Sequence, residues 1–113
     1  MEGLVAGDAV TVPFPFTDFG SQKVRPALIL AVLDRRDVLL CQITSQPLTH
    51  KNAIPLYESD FFAGGLPKQS FLLPHRLVTA SSSIVRRVAG QLTEIRQAVC
   101  AVVRGELGNA QPR

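Results

Sequence analysis

The chain of 113 residues has only two cysteines and two histidines, too few soft ligands for a metal centre. Cys41 and Cys100 stand far apart, each embedded in apolar residues (Leu39-Leu40-Cys41, Val99-Cys100-Ala101). That is the setting of a buried, inert thiol rather than of a disulfide or a nucleophile. No metal and no other cofactor is expected. A glycine-rich phosphate loop of the P-loop or dinucleotide type is missing, and so is a serine nucleophile elbow, which sets those enzyme classes aside. The N-terminus carries no basic flank followed by an apolar run, so no signal peptide is read there. The longest apolar stretch is far short of the roughly 20 residues that span a bilayer. The expectation is a soluble, cytoplasmic protein without membrane contact. Repeats, low-complexity segments and linkers are also missing, and residues 1–113 are read as one domain.

What is present argues for an ordered fold. Hydrophobic residues make up 46% and charged residues 19%, a balance that supports a core and excludes a disordered chain. The net charge of +3 permits an anionic partner without demanding one, because nucleic-acid binding depends on clustered rather than total charge.

The apolar pattern is mostly that of strands. Ala9 to Phe14 reads as a strand ended by Pro15, and Thr17 to Lys23 as an exposed loop around Gly20. Pro26 to Leu33 is a near-continuous apolar run of strand length, and after the charged turn Asp34 to Asp37 the chain returns through Val38 to Ile43, so the two make a hairpin. Ser45 to Asn52 is a second polar loop, followed by a short strand at Ala53 to Tyr57 and a turn at Gly64-Gly65. Ser70 to Leu73 and Leu77 to Thr79 read as two short strands around Pro74, Ser81 to Arg87 as one helical turn, and Val88 to Gln91 as a last strand. From Thr93 the period changes: Ile95, Val99, Val102, Val103 and Leu107 share a helical face, with Thr93 as N-cap and Gly108 as stop. The fold class is therefore mainly β (α+β): a small, strongly bent sheet or barrel with a C-terminal helix packed on it.

Three places at strand ends carry polar chemistry. Arg25 stands where a polar loop meets an apolar strand, and its guanidinium fork suits a phosphate or carboxylate. It is equally a surface partner for Asp8 or Asp18. Thr44 ends the Val38–Ile43 strand; its hydroxyl either binds a phosphate oxygen or closes a turn with Ser45. His75, next to Arg76, is either a general acid or base or an ordinary loop histidine. Lys23, Lys51, Lys68 and Arg76 are candidates for a basic rim, while Arg86, Arg87, Arg96 and Arg104 read equally as a solvated face.

The order of segments resembles the MazF/PemK family of toxin endoribonucleases. The resemblance rests on Gly7-Asp8 before Val12-Pro13-Phe14-Pro15-Phe16-Thr17-Asp18, then Arg25-Pro26-Ala27-Leu28-Ile29-Leu30 and Cys41-Gln42-Ile43-Thr44-Ser45. It continues through Asp60-Phe61, Gly64-Gly65-Leu66 and Ser70 to Val88-Ala89-Gly90-Gln91-Leu92, covering nearly the whole chain. It implies an SH3-like barrel with a C-terminal helix, a homodimer, and metal-independent, sequence-selective cleavage of single-stranded RNA by attack of the ribose 2′-hydroxyl. It also implies an antitoxin partner that lays an extended, acidic segment across the dimer groove, with operator DNA bound only through the toxin–antitoxin complex.

Carried over by resemblance, Arg25 matches the catalytic arginine and Thr44 the catalytic threonine. The chain departs from the pattern at Leu73-Pro74-His75, where several members carry an arginine and a carboxylate; Leu73 holds the arginine position and His75 the acidic one. His75 is accordingly assigned the base role, or else Arg25 and Thr44 carry most of the catalysis. Phe16 either stacks on a base or packs under its loop, while Lys23, Ser45, Gln46 and Arg76 are expected to meet RNA backbone or base edges. Two other readings stay open: a non-enzymatic gyrase inhibitor resembling CcdB, and a catalytically inactive RNA- or peptide-binding homologue.

Overall fold

The computed structural model describes residues 3–14, 23–46 and 52–92 and, further on, Glu94, Val99, Ala101 and Arg104. Its strands are β1 (Asp8–Phe14), β2 (Lys23–Val32), β3 (Asp37–Thr44), β4 (Ile54–Leu56), β5 (Phe61–Gly64), β6 (Ser70–Ser81) and β7 (Arg87–Leu92). They form one antiparallel sheet of seven strands in the order β4-β6-β3-β2-β1-β7-β5. The expected β2–β3 hairpin is present, closed by a short 3-10 turn over Asp34–Arg36.

The central strands are apolar on both faces, which is why Ala27 to Leu30 reads as a continuous hydrophobic run rather than an alternation. On one face Val10, Val12, Ala27, Ile29, Val38, Leu40 and Val85 form a buried cluster. On the other, Ala9, Leu28, Leu30, Cys41, Ile43, Leu56, Leu72, Leu92 and Val99 form a second. Both are needed to hold the sheet, since removing a buried Leu or Ile side chain costs about 2–5 kcal/mol.

The sheet is bent by register slips. They occur between Ala9 and Val10 against β7, between Ile29 and Ala31 against β3, between Phe61 and Ala63 against β7, and between Cys41 and Ile43 against β6. Each slip inserts unpaired residues on one strand, which increases local twist and curls the sheet into a half-barrel.

The last slip is the largest and alters the sequence expectation. Cys41 pairs with Leu77 and Ile43 with Leu72, so residues 73–76 stand opposite Gln42 alone. The two short strands expected around Pro74 are one strand of 12 residues with a bulge in its middle. Proline is tolerated there because a bulged residue has no ladder hydrogen bond for its missing N–H to break.

The strand β5 was not expected from the sequence, where Gly64-Gly65 was read as a turn. Gly64 ends β5 with φ +67, and a Cβ there would fall against the Ala89 carbonyl of β7. Only glycine permits both the left-handed backbone and that close approach.

Among the described residues no C-terminal helix stands as an element. Of the expected helical face only Val99 is described; it is helical, as are Ala101 and Arg104, and it is buried against Leu28 and its neighbours. Ile95, Val102, Val103 and Leu107 lie outside the described residues.

Candidate nucleic-acid interface

The candidate site lies where the cluster formed by Val10, Ala27 and Leu40 runs out. On β2 the positions sharing that face run Ile29, Ala27, Arg25; on β3 they run Val38, Leu40, Gln42; on β6 they run Ala80, Val78, Arg76. Side chains two residues apart share a face of a strand. On three adjacent strands, then, the residue after the last apolar one is polar. The result is a cleft of about 200 Å³. Val12, Ala27, Leu40 and Val78 give it an apolar floor, and Arg25, Gln42 and Arg76 a polar rim, with Pro26 and Leu77 completing the walls.

Arg25 and Arg76 reach this cleft from β2 and β6, on either side of Gln42 in β3. Both arginines are exposed, and among the described residues no carboxylate lines the cleft. Two like charges facing one cavity favour an anionic occupant, and the guanidinium fork is matched to phosphate. The surface salt bridge between Arg25 and Asp8 considered from sequence is not formed. Asp8 is 2% exposed and its carboxylate accepts from the Val5 N–H at 3.0 Å and from Gln91 Nε2 at 3.3 Å. Asp18 lies outside the described residues.

Thr44 is half-buried at the end of β3 and does not line the cleft. Arg25 and Thr44 each lie two residues beyond the paired Ala27 and Gln42, at the same end of adjacent strands. Thr44 Oγ1 accepts the N–H of Gln46 at 3.1 Å, the turn-closing role foreseen as one of its two readings. Ser45 and Gln46 follow it, exposed. Lys23 is exposed at the start of β2, paired with Phe14 and two residues before Arg25. Phe16 lies outside the described residues.

His75 sits exposed on the β6 bulge between buried Pro74 and Arg76, and is not among the residues lining the cleft. Leu73, where the resemblance led to an arginine in other members, is 1% exposed and belongs to the core. Its carbonyl accepts the Cys41 Sγ–H at 3.2 Å, so the thiol read as inert holds one end of the bulge.

Gln42 is the rim residue that sequence reasoning missed. Its signal was present: it is the one polar residue in Val38 to Ile43 and interrupts the apolar face of β3. Among the described residues no three His, Cys, Asp or Glu side chains gather into a metal-binding group. Among the same residues no helix is long and apolar enough to cross a membrane.

The family model described as "PemK-like, MazF-like toxin of type II toxin-antitoxin system" matches residues 6–104. No curated protein matches the chain by sequence. Among solved structures, an endoribonuclease in complex with its cognate antitoxin, from a mycobacterial species, is similar with a TM-score of 0.68 at 14% identity, over 99% of this chain and 100% of that one. A mycobacterial endoribonuclease gives a TM-score of 0.70 at 15% identity, over 99% of this chain and 98% of the other. A MazE–MazF structure from Deinococcus radiodurans gives 0.72 at 18% identity, over 95% and 98%. At such identities the likeness is one of fold.

Proposed function

The chain belongs to the PemK-like, MazF-like toxin family of type II toxin–antitoxin systems, and from that premise we propose that it is a metal-independent endoribonuclease cutting single-stranded RNA. The observation that carries this reading is the convergence of Arg25 and Arg76 on a cleft with an apolar floor that no carboxylate lines among the described residues. A ribose-phosphate backbone supplies the negative charge such a rim lacks, and unstacked bases supply apolar faces for its floor.

In the proposed reaction the 2′-oxygen attacks the adjacent phosphorus, its proton passes to a base, and the bond from phosphorus to the 5′-oxygen breaks. The 5′-oxygen takes up a proton and leaves, and the other product ends in a 2′,3′-cyclic phosphate. Arg25 holds the non-bridging oxygens as charge builds on them. Thr44 donates its hydroxyl to one of the same oxygens. His75 is assigned the base, reaching the substrate from the β6 bulge beside Arg76, outside the cleft lining. Lys23, Ser45, Gln46 and Phe16 are assigned to flanking nucleotides. The proposed antitoxin contact is an extended acidic segment competing for the same cationic cleft across a homodimer.

The test is incubation of the purified chain with a long single-stranded RNA in EDTA, beside Arg25→Ala and His75→Ala. Cleavage at a few sites with cyclic-phosphate ends is expected. Arg25→Ala should slow it by about 10²-fold or more, the effect of losing one donor aimed at developing charge. His75→Ala should alter the pH profile of the rate; an unchanged profile removes the base assignment. If the unaltered chain cuts no RNA at any concentration, the nuclease reading fails and gyrase inhibition is the next assay.

A further inference from the structure

We propose that Arg76 is a second catalytic arginine, placed to hold the scissile phosphoryl group from the side opposite Arg25; this rests on the nuclease reading of the cleft. Read from the resemblance, Arg76 has only a contact with RNA backbone or base edges. Its place in the fold argues for more. In the sheet order β6-β3-β2, the strands bearing Arg76 and Arg25 flank β3, whose Gln42 lies between them on the rim. Adjacent strands lie about 4.8 Å apart, so β2 and β6 are separated by roughly 10 Å, a gap that two long side chains close from both sides.

The bulge places Arg76 at the cleft. Residues 73–76 are surplus to the single residue opposite them, yet the segment is anchored at its base. Leu73 and Pro74 are buried, and the Leu73 carbonyl accepts the Cys41 thiol at 3.2 Å. Past that anchor β6 re-enters the ladder at Leu77, paired with Cys41. The backbone bearing Arg76 is therefore held on both sides, by buried Leu73 and Pro74 before it and by the Leu77 pairing after it.

The charge arithmetic favours the transition state over the ground state. A phosphodiester carries one negative charge, and the phosphorane formed from it by a 2′-oxyanion carries two. One arginine balances the first state; two arginines, with no carboxylate lining the cleft among the described residues, balance the second. An interaction that strengthens as the reaction proceeds raises the rate at saturation, not merely the affinity.

The experiment compares the unaltered chain, Arg76→Ala, Arg76→Lys and Arg25→Ala in single-turnover cleavage at saturating RNA. In parallel, the Kd is measured for the same RNA carrying 2′-O-methyl groups, which cannot be cut. Arg76→Ala is expected to lower the saturating rate by about 10²-fold while weakening Kd far less. Arg76→Lys keeps a charge without the fork and should recover only part of the rate. Thermal melts check that each variant is folded. An unchanged saturating rate in Arg76→Ala overturns the proposal, whatever happens to Kd, and leaves Arg76 a binding residue. Failure of the unaltered chain to cut RNA removes the nuclease reading and this proposal with it. Cleavage by the unaltered chain with full activity in Arg76→Ala removes this proposal alone.

Discussion

A single hydroxyl shows how a structural and a chemical role coexist. Thr44 Oγ1 accepts the Gln46 N–H at 3.1 Å and so closes the turn after β3. A hydroxyl has two acceptor lone pairs and one rotatable O–H, so the turn leaves its proton available to a phosphate oxygen. The two uses separate by substitution. Thr44→Val keeps the branched shape that suits a strand but loses both hydrogen bonds. It should cost less than about 1.5 kcal/mol in a urea titration, since one exposed bond is lost. In single-turnover cleavage the same variant should lose about 10²-fold, whereas Thr44→Ser should retain most of the rate. Equal retention by both would reduce Thr44 to a turn residue. Asp8 is the opposite case at the same scale: both its carboxylate oxygens are engaged by Val5 and Gln91, and it stands apart from the cleft.

At the scale of the element, β6 decides what the sequence could reveal. Its outer halves were legible as apolar runs, and so were the continuous runs of β2 and β3 and the exposed arginine where β2 begins. Pro74 was read as an interruption because proline removes a ladder donor. The structure instead absorbs it in a bulge, which depends on the register between β3 and β6, a non-local property no local pattern records. The same holds for β5, a strand of four residues that exists through its pairing with β7 and the glycine at its end. Gln42 was passed over because its meaning comes from Arg25 and Arg76 on neighbouring strands. The position of Leu73 adds a prediction. Because its side chain is 1% exposed, Leu73→Arg should not create a new site residue. It should bury an unpaired charge and destabilise the fold by about 3 kcal/mol or more, read as a lowered midpoint in urea.

At the scale of the whole molecule, the net charge of +3 says little until the charges are placed. Lys23 and Arg25 stand at the start of β2 and Arg76 joins them from β6, while Asp34 and Asp37 lie beyond the far end of β2, at the hairpin turn. Among the described residues the cleft end is thus cationic in a chain whose total charge is modest, and such an arrangement attracts an RNA backbone at long range. Counterion release makes the idea measurable. Three cations engaging phosphates of a single strand give a slope of log Kobs against log salt of about −2, at roughly −0.7 for each phosphate neutralised. Fluorescence anisotropy with a 2′-O-methyl RNA should therefore return a slope near −2, and Arg76→Ala should make it shallower by about 0.7. A variant that weakens binding without changing the slope would place Arg76 on a base edge rather than a phosphate. That outcome would separate its contact from the charge on which two opposed arginines are argued to act.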